Sequence, residues 1–275
     1  MRQLHVITVD GMSLSTLVTD GPGAPVLFLG SFLRPAETWL PLLAALPSRH
    51  CILMDLRGQG ESHPIAESQF SVPFEVHVRD ASAVMAAFAH RQYHVVGLGM
   101  GGQVAIELTL MRPSQILSLT LISCHGNGEW SRRTEEFATL LEELDQHGWV
   151  EPVLDSVLRL VLSPTAYADE EARHVLARQV RGLEPQSVVA LGRGLRHCPA
   201  RRHDYAMLSM PVLSLIGGAD QLAEPAVQRQ AAQELPRGTI VEFPGWSHPS
   251  WEQPVRAAEH LQAHLTAAEV GSGIR

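Results

Sequence analysis

The chain is short of charge: only 18% of its 275 residues are Asp, Glu, Lys or Arg, and basic residues are the minority, 21 against 29. A disordered chain carries more charge and less apolar content than the 45% found here, so a folded domain is implied. No basic stripe is present. The pairs Arg132-Arg133 and Arg201-Arg202 are too short for a nucleic-acid footprint and read as solvated surface. Cysteine is scarce: Cys51, Cys124 and Cys198 are odd in number, far apart and form no C-x-x-C motif. That excludes a disulfide framework and suits a reducing compartment. No apolar run approaches a membrane span, and the first residues enter strand-like alternation without a signal-peptide stretch. The expectation is a cytoplasmic, enzyme-sized α/β domain with no metal-ligand cluster and no cofactor.

Apolar patterning predicts the order of elements. Residues 4–9 and 12–18 alternate on either side of Asp10-Gly11, a hairpin signal. Apolar runs at 25–29, 51–54, 93–96, 116–122 and 211–216 read as strands, with a last strand at 239–243. Helical spacing lies between them, as over 72–90, where Val76, Ala83, Val84 and Ala87 share a face. Strands alternating with helices imply a mostly parallel central sheet flanked by helices on both faces. From about Gly128 to Arg196 the spacing is helical with no buried strand. The expected division is a core of 1–127 and 201–275 with a helical cap inserted at 128–200.

Four segments after predicted strands carry chemistry, where open α/β sheets place their ligand sites. The first is Gly97-Leu98-Gly99-Met100-Gly101-Gly102, which leads into a helix. It has the outline of a G-x-S-x-G nucleophile elbow with glycine at the serine position. The centre of such a turn lies in a sparsely allowed backbone region, which glycine occupies without steric cost. Gly99 therefore keeps the turn, and the Met100 amide remains an oxyanion donor. A dinucleotide loop needs G-x-G-x-x-G early in a βαβ unit; this turn is mid-chain and differently spaced. The second segment, Pro244-Gly245-Trp246-Ser247-His248-Pro249, supplies a base. The third, Gly217-Gly218-Ala219-Asp220, offers a carboxylate to accept a hydrogen bond from that histidine and hold its tautomer. The fourth is Gly30-Ser31-Phe32: its Phe32 amide is the second oxyanion donor, and Ser31 lies beside the substrate.

Together these segments, with Asp55-Leu56-Arg57-Gly58-Gln59-Gly60-Glu61-Ser62, resemble the α/β-hydrolase superfamily along essentially the whole chain. Within it the chain is similar to the 3-oxoadipate enol-lactonases and related small lidded esterases, lactonases and carbon–carbon bond hydrolases. The resemblance implies the α/β-hydrolase fold and places nucleophile, acid and base at Gly99, Asp220 and His248. Two departures stand out. Gly30-Ser31 replaces the usual His-Gly, which backbone donors tolerate. Gly99 replaces the usual serine, which acyl-enzyme chemistry does not tolerate. Cys124 follows the next strand, but nothing around it favours a thiolate, and it reads as structural.

Three functions stay open. The chain is a substituted, inactive form of an enzyme hydrolysing a small, largely apolar ester, lactone or thioester. Alternatively it is a native serine-less enzyme, with His248 as general base and an oxyanion hole serving lyase, C–C cleavage, decarboxylation or cyclisation chemistry. The third is a non-catalytic ligand-binding protein. In each the partner is a small molecule, with no nucleic acid and no membrane, on a monomer or homodimer. Leu140, Leu144, Val153, Val157 and Val161 form the cap's own core, while Trp130, Trp149, Trp246 and Trp251 are expected as aromatic walls of the pocket. Arg57, Arg193, Arg196 and His197 are the candidates for pairing a substrate carboxylate.

Overall fold

A computed structural model describes residues 1–66, 69–128 and 134–273. Eight strands form one sheet: β1 Arg2–Ile7, β2 Ser13–Thr19, β3 Val26–Leu29, β4 Cys51–Met54, β5 Tyr93–Leu98, β6 Ile116–Ile122, β7 Val212–Gly217 and β8 Gly238–Phe243. Their order across the sheet is β1-β2-β4-β3-β5-β6-β7-β8. The pairings β1–β2 and β2–β4 are antiparallel; the other five are parallel. The hairpin strand β1 is exposed along most of its length, whereas β3 through β7 are buried on both faces, which explains their continuous apolar runs.

Helices cover both faces. On one side lie α1 Leu40–Ala45 and α11 Pro254–Ser272, which bury Leu42, Ala257, Leu261 and Leu265 against Phe28, Leu53 and Val96. On the other lie α2 Phe74–Ala87 and α3 Met100–Met111, whose apolar faces join Leu27, Leu29 and Val95. Helix α11 ends at Ser272, where Gly273 caps it at φ 75°.

Between β6 and β7 the described chain forms five helices: α4 Thr134–His147, α5 Glu151–Val161, α6 Pro164–Ala168, α7 Glu170–Arg181 and α8 Pro185–Leu195. Helix α5 shows why this block packs: Val153, Leu154, Val157, Leu158 and Val161 recur at helical spacing and all are buried. The block is tied to the sheet core by polar contacts as well. Val72 N–H donates to the Ala190 carbonyl at 3.1 Å, and Ile65 N–H to Ser187 Oγ at 2.9 Å. Helix α9 Pro225–Gln233 lies against β7 and β8, and the short α10 Pro249–Glu252 precedes α11. Among the described residues no helix is long and apolar enough to cross a membrane.

The segment 55–62 is a knot at the end of β4. Asp55 accepts from the amides of Ala36 (2.6 Å) and Glu61 (3.2 Å), while Ser62 Oγ donates to the Asp55 carbonyl at 2.8 Å. Arg57 donates twice to Asp80, at 2.6 Å each, and once to Asp10 at 3.1 Å. This loop holds the segment before α1 against the strand ends, so its residues position the site without entering it.

Packing is tight at the turn from β5 into α3. A Cβ on Gly101 would collide with the carbonyls of Leu29 and Gly30, and one on Gly97 with the Gly101 carbonyl. Helical Gly→Ala changes ordinarily gain up to about 1 kcal/mol. Gly101→Ala should instead cost about 3 kcal/mol or more in urea unfolding, since the obstacle is backbone. Gly271→Ala in the open last turn of α11 is the control that should not destabilise.

Candidate active site

Gly99 sits between β5 and α3 with φ 50° and ψ −111°, a conformation that strains any residue with a Cβ. The elbow geometry is thus retained with no side chain at its centre. Directly after it, Met100 N–H donates to Ser31 Oγ at 3.4 Å, so the first helical amide points at the loop after β3. That loop is itself constrained. Leu33 has φ 61°, and the Phe32 ring meets Phe137 of α4 edge-on at 5.5 Å. Ser31, Phe32, Met100 and Gly99 are therefore brought together, with the helical block touching them through Phe137.

Behind the elbow, Ser123 at the end of β6 joins the other two segments. Its backbone is strained at φ 49°, and its hydroxyl donates to the Ser247 carbonyl at 2.8 Å. Ser123 also stabilises the Asp220 carboxylate. A cavity of about 20 Å³ lies here, lined by Gly99, Gln103, Ser123, Cys124 and Ala223 among others. It has room for about one water molecule. Ser123 passed unnoticed in the sequence because its signal is a backbone angle. Two of the three non-glycine residues with positive φ among the described residues, Leu33 and Ser123, lie at this site.

The expected hydrogen bond between His248 and Asp220 is not made. Asp220 Oδ1 accepts from the amides of Leu222 and Ala223, each at 2.9 Å, and Oδ2 from Gln228 Nε2 at 3.3 Å. The local turn has taken up the carboxylate. Burial pushes this carboxyl up to about 7 despite those donors. His248 Nδ1 has no hydrogen-bond partner, and the carboxylate nearest to it is Glu252, with Oε1 at 3.9 Å. The Val161 carbonyl, at the end of α5, also stands against the imidazole and favours its protonated form. Burial first, and the Arg34 guanidinium second, hold the imidazole well below the ordinary histidine range, so the ring is neutral.

Glu252 is the residue that spacing alone did not single out. It lies one helical turn after His248, and its side chain is 1% exposed. Oε1 accepts from the amides of Ser247 (3.3 Å) and His248 (3.0 Å), and Ser163 Oγ donates to Oε2. A polar residue four positions after a candidate base, at the start of a helix, is the pattern that would have flagged it.

The tryptophans expected as aromatic walls have different surroundings. Trp149 is tied into the helical block, its indole N–H donating to the Leu183 carbonyl at 2.8 Å. Trp246 packs with the cluster on the α1 and α11 side of the sheet. Trp130 lies outside the described residues. Trp251 stands at the site, with Arg34 stacked over its ring at 5.1 Å. Of the expected carboxylate partners, Arg57 is consumed by Asp80, and Arg193 pairs with Asp145 at 2.7 Å. The Cys124 thiol is pushed up to about 12 by burial, in keeping with a structural cysteine.

The parallel sheet, the elbow and the histidine after the last strand define a protein of the α/β-hydrolase class. The chain belongs to the Alpha/beta hydrolase family, which it matches over residues 23–260. It is similar to a dihydrolipoyllysine-residue acetyltransferase component of an acetoin cleaving system from Cupriavidus necator, with 29% identity over 254 residues. That alignment covers 88% of this chain but 63% of the relative, so the chain spans less than two thirds of that protein. A pimeloyl (acyl-carrier protein) methyl ester esterase from Nitrosomonas europaea is 23% identical, covering 84% of this chain and 90% of the esterase. Among solved structures, a thermophilic esterase from Thermogutta terrifontis has a TM-score of 0.86 at 22% identity, covering 98% of this chain and 99% of its own. The enol-lactonase from Burkholderia xenovorans has a TM-score of 0.84 at 19% identity, covering 96% of this chain and all of its own.

Asp220 makes stability depend on pH. Its folded carboxyl, at about 7, keeps its proton to higher pH than the ordinary 3.8. The folded state therefore holds an extra proton between roughly pH 4 and 7, so the contribution is full below about 4, falls progressively across that window and is gone once pH has risen through 7. The loss amounts to roughly 4 kcal/mol. Calorimetry should show the parent's melting temperature falling between pH 5 and 8 by clearly more than that of Asp220→Asn, which has no proton to lose. Equal slopes would show that Asp220 ionises freely in the folded state.

Proposed function

We propose that this chain acts on the carbonyl group of a small ester, lactone or thioester, with His248 as general base. The amides of Met100 and Phe32 stabilise the oxyanion that develops on the carbonyl oxygen. The observation that carries this reading is a neutral, buried imidazole on a segment tied to the elbow: the carbonyl of the preceding residue, Ser247, accepts from Ser123, which lines the cavity at Gly99. A base must be unprotonated to work, and burial keeps His248 so. Glu252 is the carboxylate nearest to balance the imidazolium when it forms. Asp220 serves in that role once the ring turns from Val161 towards it. The block 128–200 acts as a cap over the carbonyl, reaching it through Phe137 and Val161.

Gly99 supplies no nucleophile, so an acyl-enzyme on this residue is ruled out chemically. The bare centre of the turn, where Gly99 carries no side chain, favours a second reading, in which water takes the place of the serine hydroxyl. The water oxygen bonds to the carbonyl carbon while His248 takes its proton. The carbon–oxygen bond to the leaving group then breaks, and His248 returns the proton to the departing oxygen.

Restoring the hydroxyl separates these possibilities. Gly99→Ser should raise p-nitrophenyl acetate hydrolysis by about 100-fold or more and make the protein reactive towards a fluorophosphonate probe. His248→Ala in that background should abolish the gain. The acid limb of the rate profile should fall below the ordinary histidine value of 6.5, because the imidazole stays neutral there. A serine variant with neither new turnover nor labelling would overturn the proposed site. Parental turnover that is lost with His248→Ala and is not improved by Gly99→Ser would select the water mechanism.

A further inference from the structure

Arg34 is 3% exposed, lies three residues after Ser31 and is within electrostatic reach of His248. Its guanidinium makes one hydrogen bond, Nη2 to the Val161 carbonyl at 3.3 Å, and Nη1 has no partner. The other buried arginines among the described residues are treated differently. Arg57 is held by both oxygens of Asp80, and Arg49 by both oxygens of Glu269 at 2.8 and 3.0 Å. A guanidinium withdrawn from water without a carboxylate in contact is costly, and its planar fork matches a carboxylate. Glu252 contributes favourable charge at a distance, but its oxygens are committed to two amides and Ser163. Trp251 supplies the ring on which the guanidinium stacks, which fixes its plane.

We infer that Arg34 is the anchor for a carboxylate on the substrate, so that the ligand class is a small ester or lactone that also bears a free carboxylate. This rests on the carbonyl chemistry proposed above, and it adds the end of the molecule that does not react. Arg34 and Phe32 share one loop, so the carboxylate is held on the same segment that donates to the oxyanion. Arg34 thereby takes the role that the sequence pattern offered to Arg57 and Arg193.

The test is calorimetric binding to the unaltered chain of monomethyl succinate, glutarate and adipate, each against its dimethyl ester. At least one monoester should bind about tenfold or more tightly than its diester, by virtue of the charge-assisted fork. In Arg34→Met that preference should fall to about one. Without ligand, Arg34→Met should melt no lower than the parent, because no ion pair is lost. Arg34→Lys, which keeps the charge but not the fork, covers the case in which the methionine variant folds poorly, and should retain only part of the preference. A parent with no preference for any monoester, or a preference that survives in both variants, would overturn the inference. Turnover measured in the Gly99→Ser background keeps the two readings apart. Carboxylate preference without turnover sinks the carbonyl chemistry alone, and turnover without preference sinks the anchor alone.

Discussion

The site depends on one close approach, the turn after β5 lying against the backbone of Leu29 and Gly30. Backbones can come that near only where no Cβ points into the contact, which is why Gly101 faces Leu29 and Gly30 while Gly97 faces the first residues of α3. The approach brings the start of α3 beneath Ser31 and turns the Met100 amide towards the loop after β3. Gly99 then has to adopt a positive φ whether or not a hydroxyl stands there. The shape of the turn is therefore set by backbone packing and not by any side chain at its centre.

Burial decides the charges around that turn. Asp55 and Asp220 are both pushed up, to about 6 and about 7, although backbone amides donate to each. His248 is pushed the opposite way, towards the neutral form that a base requires. Arg57 and Arg49 are matched with carboxylates and hold the fold together. Arg34 is buried to the same degree and left with donors to spare. The contrast separates residues that support the structure from one that awaits a ligand. It also explains why Asp220 and His248 stand apart here: the turn 217–223 and the end of α5 each offer a nearer partner.

The strands were legible because their apolar runs are continuous, and continuity follows from burial on both faces of a parallel sheet. The hairpin was legible from its alternation about Asp10-Gly11, and the helical block from the repeating faces of α4 and α5. Boundaries differed by a residue or two, where caps rather than apolar faces end an element. Within the site, Gly99, Met100, Ser31 and Phe32 could be placed from the sequence since they are bound to strand ends by short turns. Arg34, Glu252 and Ser123 were not legible. A buried arginine reads like any surface arginine, and a strained backbone angle leaves no mark on residue type.

Sequence alone settled the class of fold, and it marked the glycine turn after β5 and the histidine after the last strand, because local spacing encodes each of them. Only the tertiary structure decided which side chains meet. The Val161 carbonyl against His248, the packing of Trp246 on the α1 and α11 side of the sheet, and the unmatched fork of Arg34 all depend on residues far apart in the chain. Contacts of that kind are set by how layers close on one another, and that closure is a property of the whole packed chain.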